Sequence, residues 1–420
     1  MRNLSRARGG GMSGSDGTLG HLPFFEHLAQ LDESSPDWRP MSAGLVVLRL
    51  FDEWVRSGTP DEWSVRAVRE TIGAMPARDA QRQLLVRIVD SIVSAREGDV
   101  ATIAPRLLAY ARALQFDARW ELAADVYQTL VSVARPEHDA DVLISAYMQL
   151  GRCSRVLARW SEAASAYGAA SALAEATGDQ TTALRSRIGV ANLAIDRGNL
   201  PEAETILDET IRRAEELQLG EIRAVALQDR AAAAHRRGDF QLAVRLQYAA
   251  LSAMRDQVAR DRVLLDLAGS FFELGAHSAA QDAYLVLAAT AQEQYTRWLA
   301  TINLLEVAAR DHRELVFEQY RRELSSAALP PVLAGYAALA TGRGYQIFER
   351  DTQALAMFER AVDIGSAHRL NQILIEAEQC LEGVRAGRVQ EAQPTTELSP
   401  DVRAVADALR EMRSLAGVAP

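Results

Sequence analysis

Between Ala118 and Leu287 the chain repeats itself at a fixed interval, and this periodicity constrains its fold more than any other feature. Trp120 and Trp160 stand forty residues apart, and Leu200 and Phe240 follow at the same interval. Three residues after each anchor comes an alanine: Ala123, Ala163, Ala203 and Ala243, then Ala280 at the shorter interval of thirty-seven. Two residues before the anchors sit Ala118, Ala158, Gly198 and Gly238, a series that Gly275 continues. Seven residues after them come Tyr127, Tyr167, Leu207 and Gln247, with Tyr284 in the fifth copy. A period of this size marks a solenoid, in which each unit buries its apolar face only against its neighbours. The alanine lets two antiparallel helices approach closely, while the bulky anchor fills the gap to the next unit. Gly178 and Gly220 stand where left-handed helix ends are wanted, and Gly198 and Gly238 fall in the turn inside each unit. Between these marks there is room for two helices of roughly seventeen residues per unit.

An array of this kind can grow without one large core, so 420 residues need not mean several domains. Apolar residues make up 48% of the chain and aromatics only 6%, which leaves alanine and leucine to carry the packing. The formal net charge of −10 argues against a nucleic-acid binder, because phosphate contacts need a basic footprint. All 46 basic side chains are arginine. A Schiff-base lysine and a phosphate-binding loop lysine are therefore excluded. The two cysteines, Cys153 and Cys380, lie far apart among helix formers, which points to a reducing compartment, the cytoplasm. The N-terminus has arginines but no apolar stretch before its Gly/Ser run, so a secretory signal is not expected, and Met12 is a second candidate start. The longest charge-free run, Leu324 to Gly342, contains Pro330 and Pro331 and reads as a loop plus one buried helix, not a membrane span.

The flanks divide the chain further. Residues 1–35 are Gly/Ser-rich and are expected to be disordered, with order starting near Pro40. Residues 36–98 read as an N-terminal helical cap. Leu45 to Val55 form a dense apolar helix, Thr59-Pro60-Asp61-Glu62 opens a second with Thr59 as its cap, and Ala77 to Arg96 supplies another. Between Asp61 and Glu97 six arginines meet six acids, a balance that favours a cap over a helix-turn-helix DNA reader. Residues 99–385 form the array, about seven hairpins, and 386–400 a polar linker. Residues 401–420 form a final amphipathic helix with Val402, Val405, Leu409, Met412 and Leu415 on one face.

The repeats resemble the tetratricopeptide-repeat family. In LGRCSRVLARWSEAASAYGAA, Leu150 and Gly151 fall on that family's Leu-Gly pair, and Trp160, Ala163, Tyr167 and Ala170 on its second-helix signature. GVANLAIDRGNLPEAETILDETI and ALATGRGYQIFERDTQALAMFERAV match in the same frame, the latter with Gly342, Tyr345, Ala354, Phe358 and Ala361. The resemblance covers roughly residues 100–385 and implies an all-α, right-handed α-solenoid. The forty-residue period exceeds the usual ~34 and is similar to the long-helix variety in sensor regions of bacterial regulators. The copy near residues 297–325 has no alanine in frame, so a kink or altered packing is expected there.

In that family the concave positions of each first helix lie fifteen, twelve, eight, five and four residues before the anchor. On this sequence they include Arg112, Arg152, Arg155, Arg185, Asn192, Gln228, His235, Arg236 and Arg262, and also Arg343. Only Asp196 and Glu273 are acidic among those framed, so the remaining acids are expected on the outer face. The expectation is a basic trough for an acidic peptide or a C-terminal carboxylate, since arginine's fork matches carboxylate geometry. Asn192 lacks a companion asparagine in the next unit, where Asp229 stands, so the carboxylate clamp of chaperone-binding relatives is incomplete.

No catalytic constellation stands out. The seven histidines, His21, His27, His138, His235, His277, His312 and His368, have no metal-ligand spacing, and His277 reads as a packed anchor. Gly342-Arg343-Gly344 lacks the rest of a dinucleotide fingerprint, and Cys153 reads as buried. A non-enzymatic chain is expected, without cofactor or metal, and with no nucleic-acid or membrane partner. It would be a scaffold or adaptor binding a protein or peptide in its groove. The alternatives are a ligand- or peptide-sensing regulator without its own DNA-binding domain, and assembly through the solenoid's ends.

Overall fold

The computed structural model describes residues 20–386 and 396–418, and among these every regular element is a helix. Two compact units divide at Gly189/Val190, inside a single helix.

The first unit contains α1 (Leu22–Ala29), α2 (Trp38–Ser57), α3 (Glu62–Gly73), α4 (Ala80–Ser94), α5 (Val100–Phe116), α6 (Trp120–Val133), α7 (Ala140–Val156), α8 (Trp160–Ala176) and the start of α9 (Gln180–Asp196). Cap and first hairpins share one core, running from Phe24, Phe51 and Trp54 through Ile88 and Tyr110 to Tyr127 and Cys153. Two expectations for the cap need correction. The segment expected to be disordered contains α1, because Pro23 presets its first turn and Phe24 is fully buried; residues 1–19 lie outside the described residues. The cap of α3 is Asp61, not Thr59, and its carboxylate accepts the Ser64 amide hydrogen at 3.2 Å. His21 fastens α1 to the unit, with its ring between Asp125 (2.6 Å) and Asp52 (3.2 Å).

The second unit holds the rest of α9, then α10 (Leu200–Glu216), α11 (Gly220–Arg236), α12 (Phe240–Ala253), α13 (Gln257–Glu273), α14 (His277–Thr290), α15 (Gln294–Arg310), α16 (Glu314–Ser326), α17 (Pro331–Ile347), α18 (Asp351–Ala367), α19 (Asn371–Arg385) and α20 (Pro400–Leu415). The charge-free run leads through a loop into the first twelve residues of α17, whose side chains are largely buried, as expected. Among the described residues no helix is long and apolar enough to cross a membrane.

Both units keep one register. The anchor is the first residue of each second helix, and the residue two before it has positive φ: Ala118, Ala158, Gly198, Gly238, Gly275, His312 and Glu349. At the other end of the hairpin Gly178 has φ 79°, but in the next copy Gln218 takes that role and Gly220 instead opens α11. The in-frame alanines Ala123, Ala163, Ala203, Ala243, Ala280 and Ala354 are all fully buried. The ring of Tyr167 occupies the space that a Cβ on Gly151 or Gly189 would need.

The degenerate copy is not kinked. α15 and α16 are regular helices, and Phe317 stands where the alanine belongs, fully buried. The neighbouring first helix makes room: a Cβ on Gly344 would collide with the edge of the Phe317 ring. α20 packs against α12 and α14 through Val402, Val405 and Leu409, while Leu415, expected on the same face, is 82% exposed. Arg413 pairs with the buried Asp282 at 2.8 Å, and the Gln241 side chain bonds the backbone of Glu397 and Ser399 at the entry to α20.

Candidate functional site

Four successive first helices of the second unit, α11, α13, α15 and α17, enclose an open cleft of about 690 Å³. Its lining falls mainly four, five, eight, eleven and twelve residues before each anchor: His235 and Arg236; Leu265, Asp266 and Glu273; Asn303, Glu306 and Arg310; Arg343. From beneath, α12 and α14 add the buried side chains Gln247 and Tyr284. The volume lies within the roughly 300–1,000 Å³ typical of ligand sites.

Polar pairs between consecutive first helices knit this surface. Asn192 donates to Asp229 at 2.8 Å, and Gln228 to Asp266 at 3.4 Å. Arg236 donates to the Ile195 carbonyl at 3.0 Å and lies 3.6 Å from Asp196. Arg343 is held between Glu306 (3.1 Å) and Glu376, and these acids raise its already high pKa against the opposing effect of burial. His235 faces the Ser270 hydroxyl at 3.1 Å and meets Phe240 edge to face; burial lowers its pKa against the field of Glu273, which favours the neutral ring.

The acids therefore do not all lie on the outer face, as the sequence had suggested. Helices about 8–10 Å apart bring an inner-face arginine within reach of carboxylates on both neighbours, and pairing offsets the cost of crowding like charges. Asp266 stands apart from these pairs. Its side chain shows surface to the cleft, yet enough protein surrounds the carboxyl group for burial to raise its pKa to about 6, against the hydrogen bond from Gln228. Burial also raises Tyr284, and the charges of Glu306, Glu273 and Asp266, which line the same cleft, add to the rise.

Of the nine residues singled out by the sequence, His235 and Arg236 line the cleft. Asn192 and Gln228 belong to the inter-helix ladder. Arg262 lies outside the cleft near Glu293, 3.8 Å away. The other four are in the first unit. Arg112 on α5, Arg152 on α7 and Arg185 on α9 are exposed and make no ion pair among the described residues; Asp179 feels the charge of Arg185 only weakly. Arg155 hydrogen-bonds the Tyr167 hydroxyl and so opposes the rise that burial causes there. Arg112 and Arg152 both act on buried Tyr127, so the two lie near the same ring. Beside them, Phe116 is 92% and Val156 46% exposed, each four residues after an arginine on its own helix.

Cys153 is buried, with its thiol pushed up to about 11 chiefly by desolvation. Among the described residues no cluster of three His, Cys, Asp or Glu side chains is placed to hold a metal ion.

No family model matches the chain, and neither does any curated protein. Among solved structures it is similar to the apo form of the quorum sensor NprR from B. thuringiensis, with 12% identity over 76% of this chain and 97% of that one, at a TM-score of 0.47. NprR in complex with its cognate peptide NprX gives 12% identity over 76% and 97%, with a TM-score of 0.44. The apo form of RapI gives 8% over 83% and 100%, with a TM-score of 0.46. With anchor, buried alanine and left-handed turn residue in register, the hairpins of this all-α array are tetratricopeptide-like.

Proposed function

We propose that the chain is a non-catalytic, cytoplasmic binding protein that takes an acidic protein segment or peptide on the first-helix faces of its first unit. One observation supports this above all: α5 and α7 repeat the same exposed pair, Arg112 with Phe116 and Arg152 with Val156. Arginine and apolar residue are one helical turn apart, and both arginines stand eight residues before their anchors, so the pairs form adjacent rungs. Rungs about 8–10 Å apart match every third residue of an extended peptide at about 3.3 Å per residue. The ligand that fits repeats an acid and an apolar residue at that spacing. Arg185, seven residues nearer the start of its helix than the rungs, lengthens the basic surface.

The test uses a fluorescent peptide of repeated Glu-Leu-Gly and its Gln-Leu-Gly analogue. The acidic peptide should bind more tightly, and more weakly as salt rises, because exposed charges are screened within about 10 Å at 0.1 M. Arg112→Ala/Arg152→Ala should remove the preference. Equal affinity for both peptides, or insensitivity to salt and to the double substitution, would overturn the proposal.

A second reading, a sensor of a small molecule or short peptide, is favoured by the cleft of the second unit, which is walled on several sides and ligand-sized.

A further inference from the structure

The cleft differs from the arginine rungs in charge and in one repeat position. Seven residues after the anchor the array places Tyr127, Tyr167, Leu207, Tyr284 and Phe358, all apolar or aromatic, but α16 has the half-buried Arg321 and α12 has Gln247. This side chain is only 3% exposed, lines the cleft, and its Oε1 has no hydrogen-bond partner among the described residues. A buried amide oxygen left unpaired costs on the order of 1–3 kcal/mol unless something donates to it. A glutamine in a ring position also leaves the space beneath α11 and α13 less filled.

The charges on the walls sort themselves. Arg236 is engaged with Asp196, and Arg343 with Glu306 and Glu376. Asp266 makes no ion pair among the described residues and accepts only the long bond from Gln228. Arg310 likewise makes no ion pair there. The cleft thus offers one carboxylate without a counter-ion, one buried acceptor without a donor, and an arginine at its rim.

We infer that this cleft receives a positively charged side chain of a short peptide, an arginine or lysine, with Asp266 taking its charge and Gln247 Oε1 accepting one of its N–H groups. Arg310 supplies the donor for a carbonyl or carboxylate of the same peptide. The inference rests on reading the cleft as a ligand site, and it is independent of the arginine rungs of the first unit. It assigns the two surfaces ligands of opposite charge.

The experiment measures fluorescence anisotropy of the full chain with three labelled peptides, Gly-Leu-Arg-Leu-Gly and its Gln and Glu analogues, all with blocked ends. The Arg peptide should bind about tenfold more tightly than the Gln analogue, and the Glu analogue least. Asp266→Asn should erase that preference. Gln247→Tyr, which restores the residue found in three other copies, should abolish binding while leaving the melting temperature equal or higher. Arg112→Ala/Arg152→Ala should leave binding of the Arg peptide unchanged, so failure of the rung proposal and failure of this one are distinguishable. The inference is overturned if the Arg peptide does not bind at millimolar concentration, if the Glu analogue binds as well, if Asp266→Asn keeps the preference, or if the double arginine substitution removes it.

Discussion

Single residues settle whether each copy can pack. Phe317 replaces an alanine, and the cost of its volume is met by Gly344 on the next first helix. Gly344→Ala should therefore destabilise by about 1–3 kcal/mol, since the fully buried ring has nowhere to go. In a Phe317→Ala background the same substitution should cost much less. Chemical denaturation of the four variants measures the coupling, and additive effects would show that ring and glycine do not compete for one space. His21 is a second such residue. Although burial opposes it, hydrogen bonds and charge from Asp125 and Asp52 raise its pKa to about 9. A raised pKa means that the charged ring stabilises the fold fully below about 6.5 and loses that effect as pH rises through about 9. Its contribution has a ceiling of about 3 kcal/mol. The stability gap between wild type and His21→Ala should thus be wide at pH 6 and narrow at pH 10. A gap that does not change with pH would mean that the ring acts by packing alone.

At the scale of helices, the hairpin register was legible because crossing helices demand a small residue at one place and a bulky one at another. That demand wrote Ala123, Ala163, Ala203 and Ala243 into the sequence with their anchors. The cleft was legible only in part. Its wall includes Glu306 and Arg310 of α15, but with Glu314 as anchor and Phe317 for alanine that copy could not be framed, so neither residue could be placed. Asp266, eleven residues before its anchor, fell outside the counted positions. Gln247 was visible as an odd member of a tyrosine series, yet its unpaired oxygen depends on what surrounds it in space. Which arginines are neutralised also follows from the neighbouring helix, not from the arginine's own segment. α1 was hidden by the Gly/Ser composition around it. The docking of α20 needed the partner face, where Leu409 is buried and Asp282 meets Arg413. Leu409→Asp should release this helix by burying a charge without a counter-ion. Hydrogen exchange should then rise over residues 400–415 and leave the amides of α17 and α18 protected. Retained protection in α20 would show that the Arg413–Asp282 pair and the Gln241 bonds suffice to hold it.

For the whole molecule, the consequence of the repeat is that stability is local. Each hairpin packs mainly on its sequence neighbours, so the free energy approximates a sum of repeat and interface contributions, and opening can begin at one place without reaching others. Ala163 on α8 and Ala203 on α10 are both fully buried at helix crossings, one in each compact unit. Enlarging either to leucine should overpack its crossing by about 1–3 kcal/mol. Because so little is shared between distant hairpins, the damage should stay near its source. In Ala163→Leu, hydrogen exchange should accelerate in α7 and α8 while Phe271 of α13 and Leu287 of α14 keep their protection. In Ala203→Leu it should accelerate in α10 and α11 while Tyr110 of α5 and Tyr127 of α6 keep theirs. Thermal unfolding of both variants should broaden, since the weakened hairpin opens before the rest. A uniform loss of protection along the chain would mean that the array unfolds as one block, and no change in either variant would mean that these alanines are not where the helices press together.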